Sequence, residues 1–365
     1  MALGGGVWTT QNKVLPGSYI NFVNASKATA TVGDRGIVAF PYALGKSAGS
    51  IIEITKAEFV KDPTAKLGAA VTFDSDTAKP LREIFAHATK VIIYDLGVST
   101  TTKTATDAVN ALEPYDFNVL CVYTSTSADV ATYTTAVKTW RDAGKKCQGV
   151  VYGGETTGEE TVLAPDHEGI INVVSTVTDS GATGHELVAW VAGAEAGCKI
   201  NESCTNMIYD GEYAVKCNHT QAQLENCIKK PTSGTGGGQF VFHLVYGDVR
   251  VLEDINSLTT TTADKGDDFK YNQTIRVIDQ IANDIAKIFN TKYLGKIPNN
   301  ASGRVSLWGD IVAHHRQLET IQAIENFDAN LVTVEQGDTK KAVVVNDVIT
   351  VVNAMTQLYM TVVIQ

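Results

Sequence analysis

Buried-type strands alternate with helical segments between residues 90 and 197, and this alternation constrains the fold more than any other feature. The apolar strand-like runs are 90–94, 118–123, 148–152 and 169–175. The helix-like stretches are 106–112, 128–143 and 185–196, and Gly144 follows the second as a C-terminal glycine. Because parallel strands need a crossover connection, usually a helix, the pattern predicts a small parallel α/β sheet over residues 90–197.

The flanking regions are richer in short β-like runs. Runs at 29–32, 36–40 and 51–55 are separated by turn signals, and Pro80 opens a short helix over 81–88. Residues 198–262 contain a further β-like run at 207–215, a helix at 220–229 and a hairpin that we expect to turn at Gly247-Asp248.

The C-terminal region, residues 263–365, reads as an α+β module. A first amphipathic helix is expected to be capped by Asp267 or Asp268, and a second to begin near Arg304. In the second helix we expect one of His314 and His315 to face the core and the other to face solvent or a neighbour. Strands at 331–335, 342–345 and 359–364 complete the module.

Strand-prone segments lie at both ends of the sequence. The chain ends within such a segment, and residues 7–14 and 19–23 form its N-terminal counterpart. One interpretation is that each pairs within its own domain. The other is strand addition to a neighbouring subunit, which would make the chain a polymer-forming protein. The residues expected to make such inter-subunit contacts are Val7, Trp8, Val14, Leu15, Tyr19, Leu358, Met360, Val362 and Ile364.

Composition narrows the functional classes. The formal net charge of −10, without long basic runs, argues against a nucleic-acid partner. Neither a signal peptide nor an apolar stretch of membrane-spanning length is visible, so we expect synthesis in a bacterial cytoplasm and no direct membrane insertion. The spacing of the six cysteines does not suggest a disulfide framework, and Cys121 and Cys147 read as small buried hydrophobes.

Some strings resemble catalytic motifs, but each lacks a required part. Leu44-Gly45-Lys46-Ser47 resembles a phosphate loop, and Gly45-Lys46-Ser47-Ala48-Gly49 fits the pattern of a nucleophile elbow, but a strand follows instead of the helix that either motif needs. Asp166 or His185 could be recruited to the elbow, but so could many other residues. The cysteines and histidine at positions 198, 204, 217, 219 and 227 lack the close ligand pairs of zinc sites. Neither His314-His315 nor Asp166-His167-Glu168 forms a catalytic set. We therefore predict no catalytic residue, cofactor or metal site.

Two other functions stay open at this point. Strand ends at Asp95-Leu96-Gly97 and Tyr152-Gly153-Gly154 could line a crevice for a small molecule or nucleotide in an α/β enzyme built on the 90–197 sheet. A host-surface binding protein is the third possibility, although no residue pattern supports it directly.

Several segments together resemble contractile tail sheath proteins of phages and phage-like particles of Gram-positive bacteria, including contractile bacteriocins. The similarity runs along the whole chain. The segments that carry it include residues 1–6, 12–17, 26–36, 191–194, 209–212, 272–290, 303–305 and 358–362. The glycine-rich stretch 233–238 departs from the pattern and is expected to lengthen an exposed loop.

This resemblance implies a domain order and a role. Residues 1–23 would be an N-terminal arm, 24–89 and 198–262 an outer β-rich domain, 90–197 an α/β insertion, and 263–365 an inner module that ends in a strand arm. It implies a non-enzymatic subunit of six-fold rings that stack around a tail tube. The implied partners are other copies of the chain, the tube protein, and baseplate and terminator proteins. The assembled product would be a phage tail or an extracellular tail-like particle.

Overall fold

A computed structural model describes residues 32–98, 102–154, 165–174, 176–177, 184–217, 219–229 and 237–364. The strands are β1 Ile37–Tyr42, β2 Ile51–Thr55, β3 Lys90–Asp95, β4 Val119–Cys121, β5 Gln148–Tyr152, β6 Ile170–Val173, β7 Thr176–Val177, β8 Val215–Lys216, β9 Phe242–Val245, β10 Asp248–Val251, β11 Ile324–Glu325, β12 Thr333–Gln336, β13 Val343–Asn346 and β14 Thr350–Val351. The helices are α1 Lys56–Lys61, α2 Thr64–Leu67, α3 Lys79–Phe85, α4 Ala105–Leu112, α5 Ser127–Asp142, α6 Leu187–Gly197, α7 Gln221–Ile228, α8 Asn272–Ile288 and α9 Ala301–Thr320. No helix in these ranges is long and apolar enough to cross a membrane.

A six-stranded sheet in the order β2-β3-β1-β4-β5-β6 organises the first two thirds of the chain. All neighbouring pairs are parallel except β2–β3. The prediction of a parallel sheet is confirmed, but its extent over residues 90–197 alone is wrong. β1 lies between β3 and β4, and β2 forms one edge, so both runs from the 24–89 region belong to the same sheet. Both strands pair with β3: Val38 of β1 lies opposite Val91 on one side, and Ile54 of β2 lies opposite Val91 on the other.

Hydrophobic clusters cover both faces of this sheet. On one face, α3 and α6 pack over residues such as Val38, Ile93 and Ile171. On the other, α4 and α5 pack over Leu120 and Val151. Helix α6 is buried on all sides, and a Cβ at Gly193 would lie 2.3 Å from the Ile84 carbonyl oxygen of α3. Glycine therefore allows the two helices to approach closely.

The predicted β9–β10 hairpin is present, but its turn lies one residue earlier than expected. Val245 pairs with Asp248, so Tyr246 and Gly247 form the loop with φ values of 52° and 96°. Two central residues with positive φ match the twist of a two-residue hairpin. The run at 207–215 is mostly irregular, with a single bridge from Ile208 to Arg250 and the short strand β8 at its end.

The C-terminal module contains the two expected helices, with different starts. Helix α8 begins after Tyr271, because Asp267 and Asp268 lie in a separate short 3-10 helix. Helix α9 begins earlier than predicted, because the Asn300 side chain accepts a hydrogen bond from Gly303 N. The expectation that one of its adjacent histidines faces outward is wrong. Both side chains are fully buried, since each has a carboxylate partner.

The predicted strand at 359–364 is not formed. Residues 352–364, which we call the C-terminal segment, contain no strand. The alternating pattern is present in the sequence, but a strand needs a partner edge, and the described part of this chain supplies none there.

Candidate functional site

The polar face of α8 is the most unusual surface in the structure, because it is buried. Arg276, Asp279, Gln280 and Asp284 are each at most 5% exposed, whereas apolar Ile278, Ile281 and Ile285 are only partly buried. Buried charges and amides require partners. The partners come from three places: the α/β region, the start of the described chain, and the C-terminal segment.

Charged pairs join α8 to the α/β region. Arg276 pairs with Glu195 of α6 and, at 2.7 Å, with Asp254, which follows β10. The Asp279 carboxylate accepts two hydrogen bonds from Arg141 of α5, at 2.5 and 2.8 Å. All of these side chains are buried, so the joint is a desolvated ion-pair network.

Amides complete the same joint. Asn272 Nδ2 donates to Asp254 Oδ1 at 2.9 Å, and its own Oδ1 accepts from Gln148 Nε2 of β5 at 3.0 Å. Asp254 also accepts from the backbone N–H of Cys204 at 2.9 Å. Asn272 therefore binds the Asp254 oxygen that Arg276 does not contact, whereas Cys204 N shares Oδ2 with Arg276.

The surroundings of the ionisable groups in this joint decide which of them are charged. Burial acts to raise the pKa of Asp254, but Arg276 and the hydrogen bonds lower it to about 2. Burial, together with neighbouring Asp254, raises the pKa of Glu195 well above its ordinary value. Burial and the charge of Arg276 lower the pKa of Arg35 to about 10. The carboxylate that stays ionised is therefore Asp254, with Arg276 as its counter-ion.

A metal ion would compete with an existing cation at this place. The ligand atoms of Glu195, Cys204 and Asp254 lie within 4.8 Å of one another. The guanidinium of Arg276 already pairs with both carboxylates. The arrangement therefore works chemically as a structural ion-pair cluster.

Gln273 holds the base of the C-terminal segment. Its Nε2 donates to the Val352 carbonyl at 3.1 Å and its Oε1 accepts from Ala354 N at 2.9 Å. One side-chain amide thus makes the two hydrogen bonds that a neighbouring strand residue would make. Thr274 Oγ1 adds a hydrogen bond of 3.1 Å to Asn353. We call Val352–Ala354 the C-terminal root.

Asp284 and two glutamines hold the start of the described chain. Gly33 N donates to the Asp284 carboxylate at 3.1 Å, and Gln280 Nε2 donates to the Gly33 carbonyl at 3.3 Å. Gln317 Oε1 of α9 accepts from Val32 N at 3.3 Å. A Cβ at Gly33 would lie 2.6 Å from Asp284 Oδ1, so glycine allows this close approach. We call Val32–Gly33 the N-terminal root.

Four of the nine predicted contact residues can be located. Leu358, Met360, Val362 and Ile364 lie in the C-terminal segment and are between 67% and 91% exposed. The residues that alternate with them are exposed as well, as Tyr359 and Val363 show. The remaining predicted contacts, at Val7, Trp8, Val14, Leu15 and Tyr19, lie outside the described residues.

The glycine loop after β1 is occupied by a side chain of the protein. The Asp95 carboxylate accepts backbone hydrogen bonds from Leu44, Gly45, Ser47 and Gly97, at 2.7–3.1 Å. Burial alone would raise the pKa of Asp95, but these donors bring it below its ordinary value. The N–H groups that a phosphate loop would offer to an anion are thus engaged.

Another suspected catalytic string holds a loop. Asp166 accepts hydrogen bonds from the backbone N–H groups of Thr259 and Thr260, and Glu168 pairs with Lys265 at 2.7 Å. Both carboxylates therefore fix residues 259–265 against the end of the sheet. The chemistry that these side chains perform here is structural.

Sequence reasoning missed the buried face of α8. Polar residues on an amphipathic helix are normally assigned to solvent. A signal was available in the residue types, because Asn272, Gln273, Arg276, Asp279 and Gln280 are amides, arginine and aspartate, with no lysine or glutamate among them. Lysine and glutamate are typical of solvated faces, whereas arginine forks and amides suit buried pairing.

Comparison with known proteins agrees with this architecture. Residues 99–257 match the family model of the phage tail sheath protein central domain, and residues 264–365 match that of the phage tail sheath C-terminal domain. The chain is 30% identical over 266 residues to the PBSX phage-like element protein XkdK of Bacillus subtilis, covering 70% of this chain and 54% of that protein. It is 28% identical over 305 residues to the tail sheath protein of Clostridium phage phiCD119, covering 79% of this chain and 78% of that one. The chain thus spans about half the length of the Bacillus relative.

Solved structures show the same fold. The sheath tail protein of Desulfitobacterium hafniense superposes with a TM-score of 0.76 at 26% identity, covering 93% of this chain and 98% of that one. The contracted helical sheath of the anti-feeding prophage shares the fold at 15% identity, with a TM-score of 0.69, covering 96% and 99% of the two chains. With family models matching most of its length, this chain belongs to the phage tail sheath protein family.

Proposed function

We propose that the chain is the repeating subunit of a contractile sheath, arranged in six-fold rings that stack around a tail tube. Neighbouring subunits are linked by strand addition through the C-terminal segment and the N-terminal arm. Contraction of the stack drives the tube through a bacterial envelope. The tube protein and the baseplate and terminator proteins are the further partners, and nucleic acid is not among them.

The exposed C-terminal segment carries this proposal. Leu358, Met360, Val362 and Ile364 expose apolar side chains that no contact within the described chain covers. Burying each of three such side chains against a partner would contribute roughly 1.5–3 kcal/mol, and each added backbone hydrogen bond about 1 kcal/mol. One such link is modest, but links in two directions hold a polymer by multivalency.

A matching acceptor lies in the same module. Strand β13 pairs with β12, and within the described ranges no strand covers its other edge. Val344 and Val345 on β13 are 48% and 38% exposed. A cleft of about 110 Å³ lined by Tyr293, Leu307 and Val343 lies beside it. An incoming strand could pair with this edge and place apolar side chains in the cleft.

Contraction needs arms that bend while the subunit body stays rigid. Charged pairs fix α8 to the α/β region, whereas only neutral hydrogen bonds, with Gln273, Thr274 and the Ala323 carbonyl, hold the C-terminal root. The body can then rotate as a unit while the chain bends at its roots. In the contracted sheath, charged surfaces of neighbouring subunits that complement each other would come into contact, and these new contacts would supply the energy for contraction.

Electron microscopy of the expressed protein tests the proposal. We expect tubes from the unmodified chain and only monomers from the triple variant Leu358→Asp, Met360→Asp and Val362→Asp. The charges would have to be desolvated in a joined sheet. All three positions are exposed in the monomer, so the variant should keep its fold by circular dichroism.

Val305→Asp is the matched control, because Val305 is 66% exposed on α9 outside the proposed contact. It should leave tube formation intact. Normal tubes from the triple variant would overturn the strand-addition model.

A further inference from the structure

Two free cysteines, Cys198 and Cys204, meet at the joint between α6 and the polar face of α8. Cys198 caps the C-terminus of α6, and a turn follows in which Glu202 N donates to the Lys199 carbonyl at 3.1 Å. The Cys198 Sγ atom donates to the Glu202 carbonyl at 3.5 Å, so the chain folds back over its own helix end. The Cys204 thiol donates a hydrogen bond to the Cys198 sulfur. The turn therefore brings the two thiols into direct contact.

The charged joint holds this turn in place. Arg276 Nη2 donates to the Glu202 carbonyl at 2.8 Å, and the backbone N–H of Cys204 donates to Asp254 at 2.9 Å. Cys198 and Cys204 are 5% and 0% exposed. Because the surroundings already fix the two sulfur atoms side by side, a reaction between them needs no search by a flexible chain.

The two thiols differ in reactivity. The hydrogen bond from Cys204, together with the charge of Arg276, lowers the pKa of the Cys198 thiol below its ordinary value, although burial acts against it. Donating that hydrogen bond, together with burial, raises the pKa of Cys204 well above its ordinary value. The thiolate is the reactive form of cysteine, so Cys198 is the nucleophile of the pair.

A cleft gives a small reagent access to this place. It has a volume of about 190 Å³, and Ser203, Asp254 and Gln273 are among the residues that line it. Ser203 Oγ and Cys204 N both donate to Asp254 Oδ2, so the cleft reaches the backbone beside the thiol pair. A water molecule occupies about 30 Å³, so hydrogen peroxide, which is little larger, fits in this cleft.

We propose that Cys198 and Cys204 form a redox modification site that closes to a disulfide when the chain meets a peroxide. The Cys198 sulfur attacks one peroxide oxygen and the O–O bond breaks, which leaves a sulfenic acid and one water. The Cys204 sulfur then attacks the Cys198 sulfur, the S–O bond breaks, and a second water leaves. In total, two thiols lose two electrons and two protons, and one peroxide is reduced to two waters. The sulfur atoms approach from contact to about 2.0 Å.

The disulfide would staple the loop after α6 at the charged joint. The same loop carries the contacts to Arg276 and Asp254, so the bond would tie their partners together covalently. Disulfides persist outside a reducing cytoplasm. An extracellular sheath particle as the setting of this reaction rests on the proposed function, whereas the reaction itself is a property of the single chain.

Mass spectrometry of tryptic peptides from the full, unassembled chain tests the proposal. After treatment with hydrogen peroxide, remaining thiols are blocked with N-ethylmaleimide in denaturant. Trypsin cleaves after Lys199, so Cys198 and Cys204 fall in peptides 147–199 and 200–216. We expect these two peptides to stay joined, with the loss of two hydrogen atoms, and to separate after dithiothreitol. Two blocked thiols, or oxygen added to either sulfur without a link, would overturn the proposal.

Two variants assign the link to the correct cysteine. Peptide 147–199 also contains Cys147, which is buried elsewhere in the α/β region. Cys147→Ala is the matched control and should keep the link, whereas Cys198→Ala should abolish it. A link that survives in Cys198→Ala would overturn the assignment. Fragmentation of the joined peptides from the unchanged chain locates the bond without any substitution.

Urea denaturation measures the stapling. The unfolding equilibrium constant of the linked chain should be about tenfold or more below that of the reduced chain, because the bond restricts the unfolded state. Equal constants for the two forms would contradict the stapling of the joint. Tube formation plays no part in these measurements, so failure of the sheath proposal would not be confused with failure of the redox site.

Discussion

Helix α8 makes two kinds of buried joint, and they differ in chemistry. Toward the α/β region it uses two charged pairs, Arg276 with Asp254 and Asp279 with Arg141, and Arg276 also donates a hydrogen bond to Glu195. Toward the C-terminal root it uses the neutral amide of Gln273. Breaking a buried ion pair strands a desolvated charge, whereas breaking an amide contact near the surface lets water replace it. The first joint is therefore built to stay closed and the second can open.

The N-terminal root lies between these cases. Gly33 N donates to the carboxylate of Asp284, but Val32 N and the Gly33 carbonyl bond only to glutamine amides. A hydrogen bond to a charged acceptor is stronger than one between neutral groups. We therefore expect the N-terminal root to be held more firmly than the C-terminal root.

Removing the central cation of the charged joint should have the largest effect. Arg276→Ala leaves the ionised Asp254 buried without its counter-ion and removes a hydrogen-bond donor from Glu195, so we expect a loss of about 3–5 kcal/mol in the free energy of unfolding. Urea denaturation measures it. Arg316→Ala, at an exposed position of α9, is the control and should change stability by less than about 0.5 kcal/mol. Equal effects of the two substitutions would contradict the role of Arg276 as the buried counter-ion of this joint.

Acid should weaken the charged joint through Asp254. The folded-state pKa of about 2 is below the ordinary value of 3.8, so the ionised carboxylate stabilises the fold above about pH 4. This contribution, roughly 2 kcal/mol, is lost as the pH falls toward 2. Asp254→Asn should be less stable near neutral pH. Its stability should fall less on acidification, because it has no carboxylate to protonate at this position. Parallel pH profiles of the two proteins would show that another group is responsible.

Opening the C-terminal root should cost less. Gln273→Ala removes two hydrogen bonds to partly exposed backbone groups, so we expect about 1 kcal/mol or less in global stability. The clearer effect should be faster hydrogen exchange at Ala354 N, measured by mass spectrometry. Unchanged exchange there would mean that other contacts hold this root.

The smallest effect is expected at the N-terminal root. Gln317→Ala removes one acceptor from Val32 N but leaves Asp284 in place. Exchange should quicken at Val32 and stay unchanged at Ala354, the reverse of the pattern for Gln273→Ala. If both substitutions affect both sites, the two roots open together and the comparison between them fails.

The sequence predicted most elements of the sheet correctly for a clear reason. Strands buried on both faces read as continuous apolar runs, as at Gln148–Tyr152, where prediction and structure coincide. The site was harder to predict, because its partners lie far apart along the chain. Arg276 and Glu195 are separated by 81 positions, and Arg141 and Asp279 by 138. A single sequence gives no distance between such residues.

The predicted strand at 359–364 is absent, because alternation in the sequence is not sufficient to form a strand. Period-two alternation describes which faces a strand would have, but pairing also requires an edge to pair with. No strand of the described chain pairs with this segment, and Leu358 and Ile364 remain exposed. Under the proposed function, a second molecule supplies that edge.

The sequence by itself determined the local periods, the α/β and α+β classes of the two halves, and the absence of a complete catalytic motif. Those properties depend on neighbouring residues. Only the tertiary structure decided that β1 lies inside the sheet, that a carboxylate fills the loop at Gly45, and that the polar face of α8 is buried. Each of these depends on which distant side chains meet, because burying a charge is tolerated only where a partner of opposite charge or matching hydrogen-bonding capacity is already in place.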